Sequence, residues 1–139
     1  DALGVTLAAL FAEDQQMAPA SPLVRAGDQP LWQDPASGYL RRHLSPAGYP
    51  TPTELVEITF PAGETVAFET IARHVVTHQQ VWMLEGAMDV TIEQTTWHLF
   101  AGDCLAMELG DRIVFHNPGT APARYALALT TLPGASRKA

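Results

Sequence analysis

From Glu54 onward apolar and polar residues alternate with a period of two. Val56, Ile58 and Phe60 interleave with Glu57 and Thr59, and Met88, Val90 and Ile92 interleave with Asp89, Thr91 and Glu93. A period of two is that of a half-buried strand. Further strands are expected at Gln79 to Leu84, Thr96 to Phe100, Cys104 to Glu108, Arg112 to His116 and Arg124 to Thr130. Turn signals separate them at Pro61-Ala62-Gly63, Glu85-Gly86, Ala101-Gly102-Asp103 and Asn117-Pro118-Gly119. Many short strands with frequent turns predict an all-β barrel or sandwich. No helical period lies between them, which argues against a βαβ architecture. The expected core is Val56, Ile58, Phe60, Val81, Met83, Val90, Ile92, Ile113, Phe115 and Leu127. In Gln79 to Leu84 both faces are apolar, Val81 and Met83 on one and Trp82 and Leu84 on the other. The outer face then needs a cover, either the Pro-rich N-terminal segment or a second subunit in a homodimer.

Before Glu54 the pattern differs. Leu3, Leu7, Leu10 and Phe11 recur at helical spacing and Thr6 stands where an N-cap belongs, predicting a helix from Leu7 to about Glu13. Pro19 to Pro52 holds most of the eleven prolines, together with Gly27, Gly38 and Gly48. That composition suits turns, edge strands and a linker.

Charge narrows the function classes. Across 139 residues, 15 acidic against 8 basic side chains give a formal charge of −7, and the only lysine is Lys138. Such a surface repels phosphate backbones, and no basic run exceeds Arg41-Arg42 or Arg137-Lys138. The single cysteine, Cys104, excludes an intrachain disulfide, and no signal-peptide pattern opens the chain, so a cytoplasmic setting is expected. The longest uncharged stretch, Tyr125 to Ser136, contains Pro133 and Gly134 and falls short of the ~20 residues that span a bilayer. No membrane association is expected.

Gly63 to Asn117 resembles the cupin family. Gly86 closes the family's first motif in Val81-Trp82-Met83-Leu84-Glu85-Gly86, while Gly102-Asp103, Gly110 and Asn117 fall at the spacings of the second. The resemblance implies a double-stranded β-helix, the jelly-roll barrel. It places the family's metal ligands on Ala72, His74, Gln79 and Ile113, and its second-motif proline on Glu108; Gly63 lies farther from His74 than the family pattern has it. One imidazole and a neutral amide do not make the three or four ligands a transition metal wants, so no metal, no cofactor and no enzymatic activity are expected. His78 and His116 alternate away from Gln79 and Ile113 and face the other side of their strands. They join His43 and His98 as surface or satisfied histidines. Cys104 reads as a small strand residue, and Trp32, Trp82 and Trp97 as core or interface residues.

Ala2 to Phe11 resembles the closing helices of the lambda-repressor-type helix-turn-helix domain. Its place ahead of a Pro-rich linker and a cupin matches a bacterial arrangement of a DNA-binding head followed by a sensor. The organisation expected is a helix-turn-helix remnant at 1–14, a linker at 15–22 and a cupin sensor domain at 23–139, with the recognition helix upstream of Asp1. The two resemblances imply an effector-sensing, dimerising domain of a transcription regulator that binds operator DNA through that head. An unidentified small molecule would sit inside the barrel against His74, Gln79, Val81, Met83, Ile113 and Phe115, apolar walls with a few placed polar groups. The alternatives are a metal-dependent cupin enzyme, a dioxygenase or isomerase, and a ligand-free dimerisation barrel.

Overall fold

The alternation of apolar and polar positions is carried by ten strands in the computed structural model, which describes residues 20–69, 75–110 and 112–133. They are β1 (Leu31–Gln33), β2 (Leu40–His43), β3 (Thr53–Phe60), β4 (Thr65–Phe68), β5 (Val75–Glu85), β6 (Ala87–Ile92), β7 (Thr95–Phe100), β8 (Cys104–Leu109), β9 (Ile113–His116) and β10 (Ala123–Pro133). A 3-10 turn, Ala26–Asp28, lies just before β1. The expected helix at Leu7 to Glu13 and the 1–14 remnant lie outside the described residues. Among the described residues no helix is long and apolar enough to cross a membrane.

The strands form two antiparallel sheets, one in the order β1-β2-β3-β10-β5-β8 and the other β4-β9-β6-β7. They face each other as the two walls of a jelly-roll barrel. Residues that share a register position share a face. In the larger sheet Val56, Leu127 and Val81 form one inward row, and Ile58, Tyr125 and Met83 the next. Opposite them, Phe115 and Val90 pair in the smaller sheet, as do Ile113 and Ile92. All ten expected core residues lie in this interior; nine are buried, and Ile92 is half-buried and packed against them.

Tight corners hold the sheets in register. At the β5–β6 turn Gly86 has φ +80°, and a Cβ there would stand 3.0 Å from Ala123 Cα and 3.2 Å from the Pro122 carbonyl. Asn117, the asparagine of the second cupin-like motif, is 1% exposed and acts structurally. Its Nδ2 donates to the carbonyls of Phe60 at 3.1 Å and Ala121 at 3.0 Å, and its Oδ1 accepts from Gly119 N–H at 2.9 Å. It thereby ties the end of β3 to the β9–β10 connection.

The Pro-rich segment does not cover the outer face of β5 within residues 20–52. It forms β1 and β2 instead, which extend the larger sheet in its own plane beyond β3. Trp82 is left 53% exposed beside Leu55, Cys104, Ala126 and Ala128 in a shallow groove. At one end of that face Glu57 accepts from Arg124 and lies 3.6 Å from Arg42, while Arg124 reaches Glu85 at 3.2 Å.

Candidate functional site

The barrel interior divides into a packed part and an open one. Val56, Val81, Met83, Met88 and Val90 are at most 1% exposed and fill the packed part. The remaining space is a cavity of about 280 Å³. Ile58, Ile113, Leu109, Leu127 and Leu129 supply its aliphatic wall, and Tyr39, Phe60, Phe68, Phe115 and Tyr125 its aromatic wall. Three further side chains bring polarity: Arg41, Glu69 and Gln79.

The aromatic wall is continuous across both sheets. Tyr39 stacks on Phe60 at 5.9 Å and meets Phe68 edge-on at 6.2 Å, Phe68 meets Phe115 edge-on at 5.6 Å, and Phe115 stacks on Tyr125 at 5.8 Å. Such offset and edge-to-face contacts hold the rings in fixed orientation, so the wall is pre-formed.

Strand register places the polar groups. Arg41 pairs with Ile58 and Ile58 with Tyr125, so Arg41 joins the inward row from β2, beyond β3. Gln79 pairs with Leu129 on one side and Met107 on the other. It is 7% exposed, and its Nε2 donates to Met107 Sδ at 3.6 Å, a weak acceptor. Glu69 stands at the rim, its side chain 67% exposed and 3.9 Å from Arg112 Nε. Burial pushes the Tyr125 phenol well above the usual tyrosine range; the neighbouring Tyr39 adds to the rise and Arg41 opposes it. The Tyr39 phenol is also raised by burial, again with Arg41 opposing.

Of the residues expected to contact a ligand, Gln79, Ile113 and Phe115 line this cavity together. Val81 and Met83 point inward as expected but lie in the packed part of the barrel, outside the cavity wall. His74 lies outside the described residues. Tyr39, Arg41, Glu69 and Tyr125 were not anticipated. Tyr125 carried a signal in the alternation Tyr125, Leu127, Leu129; Arg41 carried none, because only the pairing of β2 with β3 turns it inward.

The histidines His98 and His116 point outward on the smaller sheet. His98 Nδ1 lies 2.7 Å from Asp89 Oδ1, and His116 Nδ1 lies 2.8 Å from Thr65 Oγ1.

Solved structures with the same architecture include an RmlC-like cupin from Shewanella frigidimarina, at 16% identity and TM-score 0.61, covering 80% of this chain and 91% of that one. The fold is that of a cupin. A second cupin neighbour is the cupin_2 domain of an XRE family transcriptional regulator from Enterobacter cloacae, at 15% identity and TM-score 0.57, covering 66% of this chain and 95% of that one. An HTH_3 family transcriptional regulator from Vibrio cholerae matches at 20% identity and TM-score 0.57; the match covers 86% of this chain and 61% of that longer one. No protein-family model and no curated protein matches the sequence.

Many cupin folds hold a metal, and the side chains here can be tested against one. Of the four positions where the resemblance places ligands, Ala72 and His74 lie outside the described residues. The other two are Gln79, a neutral amide already turned to Met107, and Ile113, an alkyl group 3% exposed. Among the described residues no three His, Cys, Asp or Glu side chains come together. The two described positions thus supply neither an imidazole nor a carboxylate nor a thiolate to a transition metal.

Proposed function

We propose that this domain is the effector-sensing and dimerising part of a cytoplasmic DNA-binding transcription regulator, and that it takes a small molecule into the cupin barrel. The observation that carries the reading is the cavity itself, an apolar space of about 280 Å³ with a few placed polar groups, close to the lower end of the sizes usual for small-molecule sites. A barrel serving only to dimerise has no need of such a void, since empty space forfeits packing energy. The likeness to cupins of an XRE family and an HTH_3 family regulator supports the regulatory setting. Operator DNA is contacted by a helix-turn-helix head to which residues 1–14 belong. The remainder, still acidic with 12 Asp and Glu against 8 Lys and Arg, takes no part in that contact.

The barrel does no chemistry of its own in this reading. The outer face around Trp82, Leu55, Ala126 and Ala128 is the dimer surface, because exposed apolar area of this kind on a soluble domain marks an interaction site. An effector acts only through a difference in its affinity for DNA-competent and DNA-incompetent dimers. The test is a DNA-binding titration of the regulator carrying this domain, with and without ligand, alongside an Ile113→Trp variant that fills the cavity. A ligand that occupies the barrel should shift DNA affinity by ~5–150-fold, and the shift should vanish in the variant. DNA affinity that stays constant at full occupancy overturns the sensor reading.

A further inference from the structure

The polar groups around the cavity are unevenly satisfied, and the imbalance has a sign. Arg42, Arg112 and Arg124 each pair with a carboxylate. Arg41 lines the cavity yet makes no ion pair with any described residue. Neither the Tyr39 nor the Tyr125 hydroxyl makes a hydrogen bond to a described residue, although Tyr125 is only 3% exposed. Both tyrosine side chains line the cavity. Arg41 lines the same cavity as the two tyrosines, and strand register sets it opposite Ile58, which in turn pairs with Tyr125. Among the described residues of the wall the one acidic side chain, Glu69, is exposed and offset by Arg112. Among the described residues, one guanidinium and two phenolic donors stand unmatched beside an apolar wall.

On the reading that this cavity is the effector site, we infer that the effector is a small carboxylate, its anionic head held by Arg41 with the Tyr39 and Tyr125 hydroxyls and its apolar body lying against Ile113 and Phe115. A planar guanidinium matches a carboxylate with two parallel N–H···O bonds, and hydrogen bonds to a charged acceptor are about twice as strong as neutral ones. The apolar wall sets the body's character. At ~30 Å³ per water, the cavity of about 280 Å³ holds the equivalent of roughly nine waters, a metabolite of about ten non-hydrogen atoms. Nucleotides and most cofactors are too large.

The experiment uses three probes with one skeleton and different heads: 3-phenylpropionate, 3-phenylpropanamide and 3-phenylpropylamine. Each is titrated calorimetrically into the protein, into Arg41→Gln and into Leu129→Trp, the last of which fills the cavity; circular dichroism and thermal melts check that both variants fold. The carboxylate should bind about tenfold or more tighter than the amide, the size of one charge-assisted hydrogen bond. Arg41→Gln should bring the carboxylate down to the amide's affinity and leave the amide unchanged, while Leu129→Trp should remove binding of both. If the amide binds as tightly as the carboxylate and Leu129→Trp still abolishes it, the carboxylate inference falls and the sensor reading stands. Preference for the amine makes Glu69 the anchor and overturns the inference equally. If no probe binds at millimolar concentration, both fall. If the carboxylate binds through Arg41 but leaves the DNA affinity of the full regulator unmoved, the inference holds and the sensor reading fails.

Discussion

Replacing Tyr125 by phenylalanine should abolish most of an alkaline weakness built into the barrel. In the unfolded chain a tyrosine loses its proton near pH 10, whereas burial keeps the Tyr125 phenol protonated well above that. Above pH 10 the folded state therefore binds one proton more than the unfolded state. Stability then falls as pH rises, by about 1.4 kcal/mol per pH unit for each such group. The contribution is fully present below pH 10, and by pH 11.5 Tyr125 alone should have cost about 2 kcal/mol. Tyr39, shifted the same way, adds a smaller loss of the same sign. Tyr125→Phe keeps the ring that stacks on Phe115 at 5.8 Å and removes a hydroxyl that bonds to no described residue, so the change near neutral pH should stay within about 1 kcal/mol. Urea unfolding of both proteins at pH 8, 10, 11 and 11.5 measures the difference, and absorbance near 295 nm follows the tyrosinates directly. Equal losses of stability in the two proteins between pH 10 and 11.5 would refute the reasoning.

Three further outcomes are expected. Asn117→Ala strips partners from the Phe60 and Ala121 carbonyls and from Gly119 N–H, and should destabilise the domain by about 2–4 kcal/mol in chemical denaturation. Gly86→Ala adds left-handed backbone strain to a 3.0 Å approach to Ala123 and should cost about 1–3 kcal/mol, where an alanine at the exposed and unobstructed Gly27 should cost little. Trp82→Glu places a charge in the middle of the outer apolar face, and sedimentation should show a 15.0 kDa monomer where the parent protein sediments as a dimer; a parent that is already monomeric at micromolar concentration removes the dimer from the proposal.

The strands legible in the sequence were those with one face in the packed interior. Val56, Ile58 and Phe60 announce β3, and Met88 and Val90 announce β6, because each alternates with polar neighbours that face away from the core. The short strands outside the packed interior were harder to read. β2 is Leu-Arg-Arg-His, half-buried throughout, and β4 is only four residues long, so neither presents an alternation to detect. β5 extends from Val75 to Glu85, beyond the expected Gln79 to Leu84, because its pairing with β10 continues through Thr77 and Val76 to strand ends that no local pattern marks. The Pro-rich stretch became part of the larger sheet at its margin, where an edge strand tolerates proline in its flanks.

The site was less legible for a physical reason. Periodicity treats an inward residue as apolar, so a cavity's polar groups are the residues that break the signal used to find strands. Arg41 is inward because β2 pairs with β3 in the register that sets it opposite Ile58, a contact between segments that the local pattern leaves unconnected. The resemblance to cupins correctly turned Val81 and Met83 inward, but an inward direction does not decide whether a side chain meets a void or a neighbour. That depends on the volume presented by the facing sheet. Fully buried Met88 and Val90 in β6 help fill the packed part, while the aromatic rings of Phe68 and Phe115 form part of the cavity wall. Inverting those volumes, by Met88→Ala with Ile113→Phe, should shift the void toward Val81 and Met83 without altering the fold, at a cost of about 2–5 kcal/mol for the methionine. The barrel would then keep its fold with its cavity moved away from Arg41.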